Sequence, residues 1–183
     1  GASLAEKRWT KKRKKEIVNS RVNSSRLIVD SLKIFPNKVK TVISASAIGW
    51  YGANPLSFGE GQGEVFIETD PPSNDFLGQT CKQWENAIDP VKDLGKRLVI
   101  LRTGIVLSNE GGALVEFKKP LRFGIAAILG TGSQLINWIH IDDLVRLFIY
   151  AMENETMNGV YNAVAPQPVS NKNLVLTLAK KVK

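Results

Sequence analysis

Residues Lys40 to Gly52 constrain the fold more than any other stretch. Thr41, Val42 and Ile43 form a β-branched apolar run that gives way to Ser44, Ala45, Ser46 and Ala47. A glycine-punctuated aromatic turn follows, Gly49, Trp50, Tyr51 and Gly52. Such a run predicts a buried parallel strand whose carboxyl end opens into a loop. Ligands of open α/β sheets sit outside the carboxyl ends of the strands, so hydroxyls at this edge are placed to meet one. Ser44 and Ser46 alternate with Ala45 and share a face. Packing of small residues beneath a loop explains the two serines equally well, so the stretch speaks for fold before function.

The flanking segments extend the α/β pattern. Trp9 to Phe35 predicts a helix capped by Thr10, with Val18, Val22, Ser25, Val29 and Leu32 at helical spacing and Ile17 and Ile28 widening the stripe; Pro36 and Asn37 end it. Residues 53–72 read as a long loop rich in glycine, proline and acidic side chains, a length that inside a compact domain points to function or mobility. Asp75 caps a second helix whose stripe is Leu77, Cys81, Trp84 and Ile88. Arg97 to Thr103 is a second apolar strand, and its continuation through Leu107 reads as a strand end turning into a loop. A short helical piece runs to Phe123, limited by Pro120. Ile125 to Ile141 predicts two short strands joined around Gly130-Thr131-Gly132-Ser133. Asp142 and Asp143 open a helix with stripe Leu144 or Val145, Phe148 and Met152. Val160 to Val164 is a further strand, and Ser170 caps a last helix through Leu174 and Leu178.

Composition narrows the function classes. With 183 residues, 43% of them hydrophobic, the chain can bury a real core. The lone Cys81 permits neither an internal disulfide nor a cysteine metal cluster and suits a reducing compartment, so a cytoplasmic protein is expected. No apolar run reaches the roughly 20 residues of a membrane span. The net charge is +8, yet the basic run Lys11 to Lys15 lacks interleaved aromatics and a recognition helix. It reads as a solvated helix face rather than a nucleic-acid contact. His140, Asp142 and Asp143 read as a helix start rather than metal ligands, and no metal site is expected. Cys81 sits in an apolar stripe, packed and inert.

SASAIGWYG, DFLGQTCKQWE, LRTGIVLS and NWIHIDDL, in this order, resemble the extended short-chain dehydrogenase/reductases, and more closely their atypical nucleoside-diphosphate-sugar epimerase branch. AEKRW, NSR, PPSNDF, EGGAL and GVYNAVAP add to the resemblance, which spans nearly the whole chain. It implies an α/β, Rossmann-type doubly wound parallel sheet, partial here, with a small substrate-binding portion. Residues 1–110 would supply the carboxyl-terminal half of the NAD(P)-binding domain. Residues 111–183 would supply the substrate-binding portion with a returning strand and helix. Gly1 resembles the end of the family's Asn-Leu-Ala-Gly motif, so the glycine-rich phosphate turn and the carboxyl-terminal extension are expected outside this stretch.

Carried over residue by residue, the resemblance implies that Gly1 and Ala2 lie against the cofactor, with Glu16 and Arg21 facing it from the first helix. Ser46 matches the serine or threonine that bonds the substrate oxygen, with Ser44 as the alternative. Thr103, Gly104, Ile105 and Val106 match the loop that holds the nicotinamide end. The basic balance favours NADP over NAD, and a small carbonyl compound or sugar nucleotide is the implied substrate. The family's usual dimer helices correspond to the two helices before residue 90, although nothing in the sequence requires a homodimer.

One departure is large. Typical members carry Tyr-x-x-x-Lys, in which lysine and the cofactor's charge help the tyrosine exchange a proton. Aligned on Glu85, those positions are Leu77 and Cys81. Tyr51 is the nearest replacement phenol, and loop packing is its competing role. Ala126-Ala127-Ile128 and Asn137 also depart from the family pattern, which alters the implied substrate pocket. Two functions from different classes follow: an NAD(P)-dependent oxidoreductase or epimerase-like enzyme, or a catalytically silent NAD(P)-binding sensor or scaffold.

Overall fold

The computed structural model describes Ala2, Leu4 and residues 7–52 and 65–181. Its elements are α1 (Lys11–Ile34), β1 (Thr41–Ala47), α2 (Phe76–Ile88), β2 (Arg97–Thr103), β3 (Ile105–Leu107), α3 (Ala113–Leu121), β4 (Leu135–Ile136), β5 (Trp138–His140), α4 (Ile141–Glu153), β6 (Gly159–Ala163), β7 (Val169–Ser170) and α5 (Asn171–Lys181). Gly1 and most of the expected long loop, residues 53–64, lie outside the described residues. Two compact units divide the chain. One takes in the chain up to Gly52 together with Glu68–Arg102 and Ala151–Tyr161. The other holds Thr103–Tyr150 and the chain from Asn162.

In the first unit α1 starts at Thr10, whose hydroxyl accepts the Arg13 N–H at 3.2 Å. At its other end the Asn37 side chain donates to the Leu32 and Phe35 carbonyls. The buried face is narrower than the apolar spacing implies. Ile17, Val22 and Ser25 are buried, whereas Ile28 is 45% exposed. Asp75 caps α2 by accepting the Gly78 N–H at 2.7 Å, and a 3₁₀ turn, Asp89–Leu94, carries the chain onward through Pro90.

The strand order is β1-β2-β6 in a parallel sheet. Leu98 to Arg102 of the middle strand are buried, and Ile88, Val91, Leu98 and Ile100 form a core flanked by Val29, Leu32, Val42 and Val160. The expectation that β1 is a buried strand is corrected. It ends the strand order, and only Ser46 along it is buried. Arg97 donates to the carbonyls of Ala151 (2.8 Å) and Met152 (3.2 Å), oxygens at the end of α4, and of Met157 (2.7 Å) beyond it.

Three expectations change in the second unit. The stretch after Gly104 is strand rather than loop: β3 pairs in parallel with β5, Val106 opposite Ile139. No hairpin forms around Gly130–Ser133. Both strands of the region follow the turn, β4 pairing antiparallel with β7. The residues before the turn instead bond to the start of α5, the Asn171 side chain accepting the Leu129 N–H at 2.9 Å. Gly130 and Gly132 do take positive φ, 55° and 75°, so the turn chemistry holds while the pairing differs. Along α4, Leu144 and Ala151 are buried while Val145 and Met152 are 48% and 60% exposed, which rotates the expected stripe.

Among the described residues no helix is long and apolar enough to cross a membrane. Among them, too, no three His, Cys, Asp or Glu side chains gather as a metal site. His140 Nδ1 accepts the Asp142 N–H at 3.2 Å, a helix-start contact.

Candidate functional site

The carboxyl end of β1 turns sharply through a 3₁₀ turn, Ile48–Tyr51, and this turn rests on α2. A Cβ on Gly49 would stand 3.3 Å from Leu77 Cβ and 3.8 Å from Cys81 Sγ, so any other residue there would crowd Leu77. Gly52, at φ +74°, reverses the chain against Ser73, whose backbone N–H donates to the Trp50 carbonyl at 2.7 Å. Trp50 Nε1 donates to the Asp70 carbonyl at 2.8 Å. The aromatic turn is therefore tied down on both sides.

Beneath it lies a buried ion pair. Arg102, near the end of β2, forks onto Glu85 of α2, with Nε to Oε1 and Nη2 to Oε2 both at 2.9 Å. The residues are 2% and 6% exposed. Ser46 donates its hydroxyl to the same Glu85 Oε1 at 2.6 Å. Arg102 Nη1 donates to the Tyr51 hydroxyl at 3.0 Å and to the Glu68 carbonyl at 3.1 Å, and the guanidinium lies 3.7 Å from the centre of the Trp50 ring. Burial works to lower the Arg102 pKa, but the hydrogen bonds to Glu85 and Tyr51 and the Glu85 charge outweigh it and raise it. The two candidate proton-handling residues, Ser46 and Tyr51, thus hang on one Glu85–Arg102 pair.

Cys81 is 4% exposed. Burial first, and the Glu85 charge second, push its thiol up to about 11, against the opposing effects of the Ala47 backbone, Arg21 and Ser46. A thiol held protonated cannot serve as a base near neutral pH. Among the described residues Arg21, on α1, donates through Nη1 to the Ala2 (3.2 Å) and Ile17 (3.0 Å) carbonyls. Its guanidinium lies 5.3 Å from the Trp84 ring centre. Burial lowers its pKa, against an opposing effect of Cys81.

The remaining expected residues disperse. Glu16 is exposed and paired with Arg13 at 3.1 Å. Ser44 turns its hydroxyl onto its neighbour's carbonyl, Ala45 O at 3.1 Å. Ala2 donates its backbone N–H to Ser20 Oγ at 2.8 Å. Thr103 to Val106 belong to the second unit. There the Gly104 N–H donates to Ala163 O at 3.1 Å, and a Cβ would meet Asn137 O at 2.7 Å. Ile105 is 36% exposed.

Glu85 and Arg102 are absent from the residues expected at the site. The available signal was a charge of each sign inside an apolar pattern, one in the stripe of α2 and one in the strand RLVILRT. Buried charges survive folding when paired.

No family model matches the sequence. An epimerase family protein of Staphylococcus aureus is 38% identical over 180 residues, 98% of this chain and 58% of the relative. The crystal structure of a nucleoside-diphosphate sugar epimerase from Corynebacterium glutamicum superposes with a TM-score of 0.81 at 34% identity, covering 96% of this chain and 36% of that one. The human epimerase family protein SDR39U1, solved with NADPH, gives 0.85 at 27% identity over 98% of this chain and 59% of its own.

The sheet, its helices and these likenesses define an α/β protein of the Rossmann-type class. The chain spans 56–58% of the length of the curated relatives it matches. Over nearly its whole length it resembles the epimerase family proteins and, in fold and sequence, a nucleoside-diphosphate sugar epimerase.

Proposed function

We propose that this protein binds a nicotinamide dinucleotide, NADPH in preference to NADH, and acts in the cytoplasm as an oxidoreductase or epimerase-like enzyme on a small carbonyl compound or sugar nucleotide. The observation that carries the reading is the likeness to a relative solved with NADPH across 98% of this chain. The residues present fit such a group. Arg21 is a half-buried guanidinium whose hydrogen bonds among the described residues run through Nη1, and the donors on its other nitrogens suit a phosphate or ribose oxygen. Arg21 would hold the nucleotide from α1.

The bound dinucleotide supplies hydride transfer. In this reading the Tyr51 hydroxyl exchanges the proton that accompanies the hydride. Arg102 orients that hydroxyl. Ser46, 2% exposed with its proton on Glu85, steadies the carboxylate, a role that departs from the substrate contact implied by family resemblance.

The same burial supports a second reading, a nucleotide-binding sensor or scaffold without turnover. Ser46 is sealed, Leu77 carries no proton and the Cys81 thiol stays protonated. Calorimetry on the full-length protein tests binding first. Micromolar NADPH affinity, weakened roughly 10- to 100-fold in Arg21→Ala by loss of a charge-assisted contact, is the expected result. Absence of binding to either nucleotide refutes both readings. Hydride transfer across a carbonyl and sugar-nucleotide panel then separates enzyme from sensor.

A further inference from the structure

We infer that Arg102 is the positioning residue of this site: through Nη1 it sets where the Tyr51 hydroxyl stands, and Glu85 sets where Arg102 stands. A guanidinium has five N–H donors in a rigid plane. Four of Arg102's are committed, two to Glu85 and one each to the Tyr51 hydroxyl and the Glu68 carbonyl. Trp50 covers its face. Rotation about any side-chain bond would break several of these contacts at once, inside a region where Arg102 is 2% exposed.

The partners come from separate stretches of chain: Glu85 from α2, Trp50 and Tyr51 from the 3₁₀ turn, Glu68 from the segment before α2. The phenol oxygen is thereby referenced to the sheet through β2 rather than to its own turn alone. Lysine, a point donor, could not fork onto Glu85, reach Tyr51 and stack on Trp50 together. Because the turn covers Leu77 and Cys81, the phenol arrives from the turn and its cationic neighbour from β2. The catalytic consequence rests on the proposed role of Tyr51, but the geometric claim is tested without turnover.

The test uses the full-length protein with ¹³C-labelled tyrosine, the Tyr51 signal being assigned through Tyr51→Phe. Arg102→Lys should shift the Tyr51 ring resonance and leave those of Tyr150 and Tyr161 in place. Conversely Tyr51→Phe, which removes one oxygen and keeps the fold even if Arg102→Lys does not, should shift the Arg102 Nε–H resonance. If Tyr51→Phe leaves that resonance unmoved, or Arg102→Lys leaves the Tyr51 ring unmoved, the inference is overturned whatever the protein binds. Coupled resonances in a protein that binds no nicotinamide nucleotide would uphold the positioning and refute the proposed function. Where hydride transfer is measurable, Arg102→Lys should lower kcat roughly 10- to 100-fold with the nucleotide KM unchanged, and an unchanged kcat overturns the inference.

Discussion

Glu85→Gln removes one charge from a carboxylate that is 6% exposed and faces a guanidinium that is 2% exposed. The glutamine oxygen can still accept from Arg102 Nε and from Ser46, as Oε1 does now. Its amide nitrogen, however, would face Arg102 Nη2 donor to donor, and the buried cation would lose its counter-charge. Breaking one side of a buried pair costs about 3–5 kcal/mol, and the retained oxygen puts this variant near the lower end, about 3 kcal/mol. For a chain of this size that corresponds to a fall in Tm of roughly 6–12 °C. With a urea slope of about 2 kcal/mol/M it corresponds to a midpoint shift of about 1.5 M. Because the pair is shielded from solvent, raising the salt concentration should leave the difference nearly unchanged. Replacing Glu85 and Arg102 together by methionine should recover most of the loss, which separates the cost of an orphaned charge from the worth of the pair. A Glu85→Gln midpoint within about 0.5 M of the parent protein would refute the reasoning, since it would mean that water reaches Arg102.

The buried thiol gives a pH signature. With Cys81 at about 11 in the folded chain against 9.0 for the free group, the folded state favours the neutral form. The associated stability, about 3 kcal/mol, is complete below pH 9 and is lost as the pH climbs from about 9 to about 11. Unfolding midpoints of the parent chain and Cys81→Ala should therefore converge over that window, and a difference that stays flat to the top of it would contradict the assignment. Gly78→Ala should destabilise by about 1–3 kcal/mol despite alanine's better helix propensity, because the new Cβ would lie 2.9 Å from the Ser73 carbonyl carbon and closer still to its oxygen; an unchanged or raised denaturation midpoint would show that the loop before α2 yields.

Legibility followed period and capping. Thr10 and Asp75 announced α1 and α2 because a side-chain oxygen before a helix has one job, to accept an orphan N–H. The run RLVILRT matched β2 residue for residue, since only a strand buried on both faces carries so many consecutive apolar side chains. Strand pairing was less legible. Gly130 and Gly132 describe a turn without saying what the flanking residues bond to, and here Asn171, some forty positions away, claims Leu129. At the site the hydroxyls and the phenol stood out because they resemble known chemistry. Glu85 and Arg102 did not, because a pair seventeen residues apart in sequence becomes a pair only when α2 and β2 pack.

Leu77 and Cys81, where the family resemblance implies a hydroxyl and an ammonium, give α2 an apolar surface at the turn. A Cβ at Gly49 would stand 3.3 Å from Leu77 Cβ and 3.8 Å from Cys81 Sγ, and the turn is tied down at Trp50, its carbonyl accepting from the Ser73 N–H and its indole donating to the Asp70 carbonyl. A tyrosine at position 77 or a lysine at 81 would have to lift this turn, drawing Trp50 from the face of Arg102 and Tyr51 from its Nη1. Lysine at 81 would also place an ammonium where the present side chain is 4% exposed, beside a guanidinium whose own pKa burial already lowers. The apolar pair on α2, the glycine of the turn and the arginine of β2 are therefore parts of one arrangement. In it Glu85 neutralises Arg102, while Arg21 among the described residues bonds the Ala2 and Ile17 carbonyls and faces the Trp84 indole.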